Sequence, residues 1–174
     1  MSSFKDRIIR AARLDIHLYE EVEADTQALG QAMAVVFLSS IAAGIGALQK
    51  GGLGGILIST TGALIGWFIW AYLTYFIGTK LLPEEQTRAT PSELLRTIGF
   101  SSSPGLIRVL GIIPGLTGIV MFGASVWMLV AMVIAVRQAL DYKSTLRAVA
   151  VCIIGWLIQI TFFLILFSAI VKLR

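Results

Sequence analysis

The stretch from Gly99 to Val136 holds Arg108 as its sole charge. As a helix at about 1.5 Å per residue it reaches roughly 57 Å. Two crossings of a hydrocarbon layer of about 30 Å need roughly 60 Å plus a turn. The stretch is therefore too long for one comfortable crossing and too short for two full ones. Pro104 and Pro114 interrupt it, and Gly115 follows the second. Pro-Gly is strong chain punctuation. These features predict a helical hairpin: a short third span over about residues 99–113, a Pro114-Gly115 turn, and a fourth span from about Thr117 to Val136. One long, tilted, kinked helix is the alternative.

Three other runs carry no charge: Thr26 to Gln49, Leu53 to Thr79, and Ala148 to Val171. Each exceeds the roughly 20 apolar residues that a crossing requires. Of the 174 residues 57% are hydrophobic and 14% charged, against about 45–50% and about 25% for a soluble domain. A chain this short keeps too much surface to hide that excess in a core. The expected fold is an all-α integral membrane protein: a cytoplasmic amphipathic helix over residues 1–25, then a five-span membrane domain over 26–174. Residues 1–25 are charged throughout and lack the apolar core of a leader peptide. With the N-terminus cytoplasmic, segments 1–25, 80–98 and 137–147 hold ten Lys and Arg, while the other face holds Lys50, Lys172 and Arg174. That bias places the N-terminus inside and the C-terminus outside. It also accounts for the net charge of +4 without a nucleic-acid partner, for which no motif is present.

In the first segment Ile9, Ala12, Ile16 and Tyr19 fall on one helical stripe, widened by Leu14 and Leu18. Basic residues come first and Glu20, Glu21, Glu23 and Asp25 last, an order that opposes the helix dipole. The early cations are placed to meet lipid phosphates. The acidic cluster is placed to lie under the Arg-bearing loops, where Arg137 and Arg147 sit. A solvated helix with no special partner is the plainer reading.

Gly62 and Gly66 lie four apart in the second span, a spacing that lets helix backbones approach in lipid; packing inside the bundle is expected over dimerisation. Trp67, Trp70, Tyr72 and Tyr75 follow toward the inner interface. "QKGGLGG", residues 49–55, reads as a flexible connection. Thr90, Pro91 and Glu93 read as cap, first and third positions of a short amphipathic helix on the inner face. Ser144 or Thr145 is placed to cap the fifth span. Asp141 has Lys143, Arg137 and Arg147 within local reach.

Ion sites and proton relays in membranes are built from buried ionisable groups, and the spans hold none beyond Arg108. Gln31 and Gln159 are the amides well inside spans, suited to interhelical hydrogen bonds. His17 shares a helix face with Glu21, but two ligands are too few for a metal. One histidine supports no Ser-His-Asp set, and one cysteine, Cys152, supports no internal disulfide. No enzyme, cofactor or metal site is expected. Arg108 has two readings. It snorkels toward the outer interface, or it holds an anionic lipid, a partner's carboxylate, or a carbonyl that Pro104 or Pro114 leaves without its helical partner.

The stretch from Ser92 to Ala148 resembles the Yip domain of the Ypt- or Rab-interacting multi-span membrane proteins. "SELLRTIGFSSSP" is similar to the family's short amphipathic lead-in to a proline, and "GLIRVLGIIPGLTGI" to its hairpin with a second proline. "VWMLVAMVIAVRQAL" is similar to its long helix, and "STLRAVAVCIIGWL" to its Ser/Thr-Arg-Ala start of the fifth span. The resemblance implies five spans, a cytoplasmic N-terminus and a short outer C-terminus. Eukaryotic members carry a long cytoplasmic region that helps contact prenylated GTPases. Here that region ends at Asp25, which argues against a Rab-type GTPase partner. The chain resembles instead the minimal prokaryotic branch, which implies the plasma (inner) membrane. The function expected is a non-enzymatic adaptor or accessory subunit that binds other membrane proteins, organises lipid, or forms a homo-oligomer. The alternative is a small transporter or channel component using the broken third span.

Overall fold

The computed structural model describes residues 2–172 and is all-helical there, with no strand. Seven α-helices follow in order: α1 (Phe4–Ala12), α2 (Ile16–Ala24), α3 (Ala28–Gly46), α4 (Leu48–Phe76), α5 (Pro91–Phe100), α6 (Thr117–Ala139) and α7 (Thr145–Lys172). A π-turn, Ile77–Leu81, extends α4, and a 3-10 arm, Ser103–Ile112, joins α5 to α6. Among the described residues three helices are long and apolar enough to cross a membrane: Ala28–Gly46, Gly54–Leu81 and Thr117–Ala139. The start of α7, Thr145–Thr161, is a shorter apolar helix. The expected outer C-terminus, Leu173-Arg174, lies outside the described residues.

The expected hairpin is present, but its first limb is not an α-helix. It is a 3-10 helix over Ser103–Ile112, longer than such helices usually run. The reason lies in α3. Ala32, Ser39 and Gly46 recur every seventh residue, and Gly99, Gly105 and Gly111 face them at every sixth. Cβ atoms added at those glycines would meet Ala32, Ser39 and the Gly46 backbone respectively. Seven α-helical residues rise about 10.5 Å, and six 3-10 residues are two whole turns rising about 12 Å. The tight winding therefore keeps Gly105 and Gly111 on the seam, while Gly99 meets Ala32 from the last turn of α5. Pro114 and Gly115 reverse the chain as a type II turn, with Gly115 at φ 85° and the Leu116 N–H on the Ile113 carbonyl at 3.1 Å. A 3-10 ladder would bond the Gly111 carbonyl to residue 114, but proline has no N–H. The Thr117 hydroxyl donates to that carbonyl instead, at 2.6 Å.

The connection over residues 49–55 is shorter than expected. α3 and α4 are separated by Ala47 alone, and a single left-handed residue, Gly52 at φ 59°, breaks α4. Both expected caps are present. Thr90 and Glu93 form a full capping box on α5, and the Ser144 hydroxyl accepts from the Arg147 N–H at 3.4 Å. Yet α5 is no surface helix: Leu94 to Phe100 are buried without interruption.

The core gathers at one end of the bundle. Leu18, Tyr19 and Val22 of α2, Leu94 and Phe100 of α5, and Val136 and Leu140 are fully buried there. The polar loops before α5 and α7 meet at this end, where the Gln86 amide donates to the Asp141 carbonyl at 3.0 Å. Toward the Pro114 turn the helices expose apolar side chains, with Ile58 77% and Ile119 73% accessible. That is the arrangement of a bundle whose outer solvent is lipid.

Candidate interaction sites

The segment before Thr26 does not form one helix. α1 and α2 meet at a break where Leu14 takes φ 62°, a costly conformation for a non-glycine residue. The expected stripe divides accordingly: Tyr19 and Leu18 are buried, while Ile9 and Ile16 are 40% and 43% exposed. α2 packs on α5 and α6, and α1 on the 3-10 arm and α5. The Trp127 indole donates to the Ala12 carbonyl at 2.9 Å, and the Gln138 amide donates to Glu20 at 2.9 Å. Those two α6 residues are about 16 Å apart along the helix, so the hairpin extends from the polar end, at Gln138, along the bundle as far as Trp127.

The acidic cluster finds its cations inside this hairpin rather than in the loops. Arg7 Nη2 lies 3.0 Å from Glu21 and 2.8 Å from Asp25, and Nη1 donates to the Gln31 amide oxygen at 3.0 Å. Arg10 meets Asp15 at 2.7 Å and Glu21 at 2.6 Å. Two early cations are thus committed to carboxylates and not to phosphates; Lys5 and Arg13 remain exposed. His17 approaches Glu20, at 3.4 Å, rather than Glu21. Arg137 closes the end of α6, donating to the Tyr142 carbonyl at 3.2 Å. Arg147 pairs with Glu84 at 3.5 Å and donates to the Pro83 carbonyl at 2.6 Å. Asp141 forms none of its expected pairs among the described residues; Arg137 and Arg147 turn to these other acceptors.

Two groups escaped the sequence reading. Arg96, 4% exposed, donates to the carbonyls of Val22, at 2.9 Å, and Glu23, and to Ser92 at 2.7 Å. It closes the C-terminal end of α2, where a cation is favoured. Its signal was its position between Leu95 and Ile98, beside the apolar stripe of Leu94, Leu95 and Ile98. Glu84 accepts from the N–H groups of Lys143, at 2.9 Å, and Ser144, at 3.3 Å, which holds its carboxyl below the usual range.

This end carries opposed titrations. Burial alone would raise Glu21, but hydrogen bonds from Ser2, Arg10 and Arg7 outweigh it and bring it down to about 2. Burial pushes Glu23 up to about 7, aided by the charges of Asp141, Glu93 and Glu20 against the pull of Arg96. Stability from Glu21 is present above its ordinary 4.5 and lost as pH falls toward 2; that from Glu23 is present below 4.5 and lost as pH rises through 7. Thermal melts should therefore peak near pH 5. Glu23→Gln should flatten the alkaline limb, by about 1 kcal/mol after allowing for solvent screening, and Glu21→Gln the acid limb. Melts of both variants that follow the parent across pH 4–8 would refute the assignment.

Arg108 sits in the 3-10 arm, half-buried, and donates to the Ser125 hydroxyl at 3.1 Å. It does not cap a carbonyl left by a proline; Thr117 does that. Its Nε is buried without a partner among the described residues. It lines a cavity of about 250 Å³ between α3, α4, α5, α6 and α7, together with Ser39, Ser102, Gly66, Trp70 and Gln159. Pro104 stands at the start of the arm, buried, and Pro114 at its turn, exposed.

Gly62 and Gly66 touch no neighbouring element among the described residues: a Cβ on either would meet no such atom within 4 Å. Gly66 borders the cavity, and Gly62 is exposed beside Ile58, Ile65 and Ile69. Of the aromatics that follow, Trp67 is buried with its indole on the Leu95 carbonyl at 3.1 Å, while Tyr72 is exposed. Among the described residues no group of three His, Cys, Asp or Glu is arranged to hold a metal.

Apolar helices, an exposed lipid-compatible surface and a polar end sealed by its own ion pairs define a multi-pass helical membrane protein. The Yip1 domain model matches residues 18–167, so the chain belongs to the Yip1-domain family. This is not a known enzyme family. No curated protein and no solved structure matches the chain.

Proposed function

We propose that the protein is a five-span, non-enzymatic membrane adaptor, with its N-terminus cytoplasmic in the plasma (inner) membrane. In this reading α3, α4, the α5–arm limb, α6 and α7 are the spans, and the polar end faces the cytoplasm. The observation that carries the adaptor role is the open face of α4. Ile58, Gly62, Ile65 and Ile69 fall on one side of the helix, and nothing among the described residues covers the glycine. A small residue among branched ones lets a second helix backbone approach closely in lipid. The partner is another integral membrane protein or a second copy of this chain; a Rab-type GTPase is not proposed.

A photo-crosslinker at Ile58 or Ile65, activated in native membranes, should give a discrete adduct, and Gly62→Ile should abolish it. Substrate-dependent flux in proteoliposomes, with no such adduct, would favour the transporter reading instead. The broken arm and its cavity speak for transport. Against it, the carboxylates of Asp15, Glu21 and Asp25 are committed to Arg7 and Arg10.

A further inference from the structure

Arg108 meets no counter-charge among the described residues. No Asp or Glu occurs between Asp25 and Glu84, between Glu93 and Asp141, or after Asp141, so every span is free of carboxylates. Its one hydrogen bond among the described residues goes to a neutral hydroxyl, Ser125. An uncompensated cation at this depth is costly. The cavity it borders also holds the Trp70 indole N–H, buried and without a partner among the described residues, as is Arg108 Nε. Gln159, Ser39 and Ser102 add further donors to the wall, and no carboxylate lines it. The site therefore combines a guanidinium fork with neutral donors and no acceptor charge, a composition suited to an oxyanion.

Size and position narrow the ligand. A cavity of about 250 Å³ lies just below the usual range of about 300–1,000 Å³ for small-molecule sites. It admits a headgroup but not a helix. The 3-10 arm places Arg108 about 12 Å below the Pro114 turn, among apolar helix faces that a free inorganic ion reaches poorly. The geometry points to a binding site for the oxyanion of a net-anionic acyl-chain amphiphile, a phosphatidylglycerol-type phosphodiester or a fatty-acid carboxylate, with Arg108 as its ion partner and Trp70 as a neutral donor; a choline cation would find no carboxylate in the wall.

The full chain, delipidated in mild detergent, can be offered mixed micelles of phosphatidylcholine with phosphatidylglycerol, with oleate, or with inorganic phosphate, and bound lipid counted by native mass spectrometry. One phosphatidylglycerol or one oleate should be retained per chain, and the two arms tell which. Arg108→Gln should weaken retention about tenfold or more, the loss of a charge-assisted bidentate contact. Gly66→Leu leaves Arg108 in place and fills open space, since no atom lies within 4 Å of its Cβ position; it should also lose the lipid while melting near the parent. It decides the matter if Arg108→Gln does not fold. Equal retention of phosphatidylcholine, retention unchanged in Gly66→Leu, or binding of inorganic phosphate in place of either amphiphile would overturn the proposal. So would a stoichiometric co-purifying protein whose carboxylate crosslinks at position 108.

Discussion

Arg7→Met should release the α1–α2 hairpin from the bundle at a cost of about 3–5 kcal/mol, the range for breaking a buried ion pair from one side. The Arg7 side chain is 3% exposed and meets both Glu21 and Asp25 within 3.0 Å. Its Nε also donates to Ser2 at 3.2 Å and its Nη1 to Gln31 at 3.0 Å. Methionine keeps the bulk and leaves two carboxylates partly buried against apolar neighbours. Arg7→Lys should recover a part only, because one ammonium cannot span acceptors on α2, α3 and the N-terminus together. Lys5→Ala and Arg13→Ala, at exposed positions, should stay within about 0.5 kcal/mol. Hydrogen exchange over residues 4–24 and thermal melting measure the effect. Parent-like protection in Arg7→Met would show that the hairpin is held by its apolar face alone.

Gly46→Ala should destabilise by about 3 kcal/mol or more, at the upper end of overpacking costs. Its Cβ would overlap the Arg108 carbonyl oxygen, a backbone atom that no rotamer can move, and would crowd Met121 at 2.8 Å. Gly105→Ala should cost less, since the atoms in the way belong to Ser39 and Met128 side chains. Gly62→Ala and Gly66→Ala are the controls. Among the described residues open space surrounds both, and alanine gains up to about 1 kcal/mol over glycine in a helix interior. Melting in one detergent orders the four variants. A Gly46→Ala protein as stable as Gly62→Ala would mean that the arm does not rest on α3 as described.

What could be read from the sequence depended on the range of the interaction. The apolar runs needed only counting. Thr90 with Glu93, Ser144, and Pro114 with Gly115 act on near neighbours, and all three appear as local chemistry dictates. The 3-10 winding of the arm was not legible because it is set by its match to Ser39 and Gly46, far earlier in the chain. The spacing of Gly105 and Gly111 held that information, but only beside α3 does it acquire meaning. The break at Leu14 carries no glycine, proline or asparagine to mark it. The acidic cluster was correctly seen as needing cations, yet charge alone does not choose between Arg137 and Arg7; the turn at Leu14 does, by folding α1 back on α2. Gly62 and Gly66 show the same limit, for their spacing permits close approach without saying whether a neighbour in this chain takes it.

The proposed five-span arrangement depends most heavily on the α5–arm limb being a true crossing, short as it is, so that the Pro114 turn and the Arg88 loop lie on opposite faces. Leu116→Cys, at a site 41% exposed, and Arg88→Cys can each be made in a Cys152→Ser background, which removes the one native thiol. With an impermeant maleimide on intact cells, position 116 should label directly and position 88 only after permeabilisation. Labelling of both positions from the same face would contradict the five-span reading.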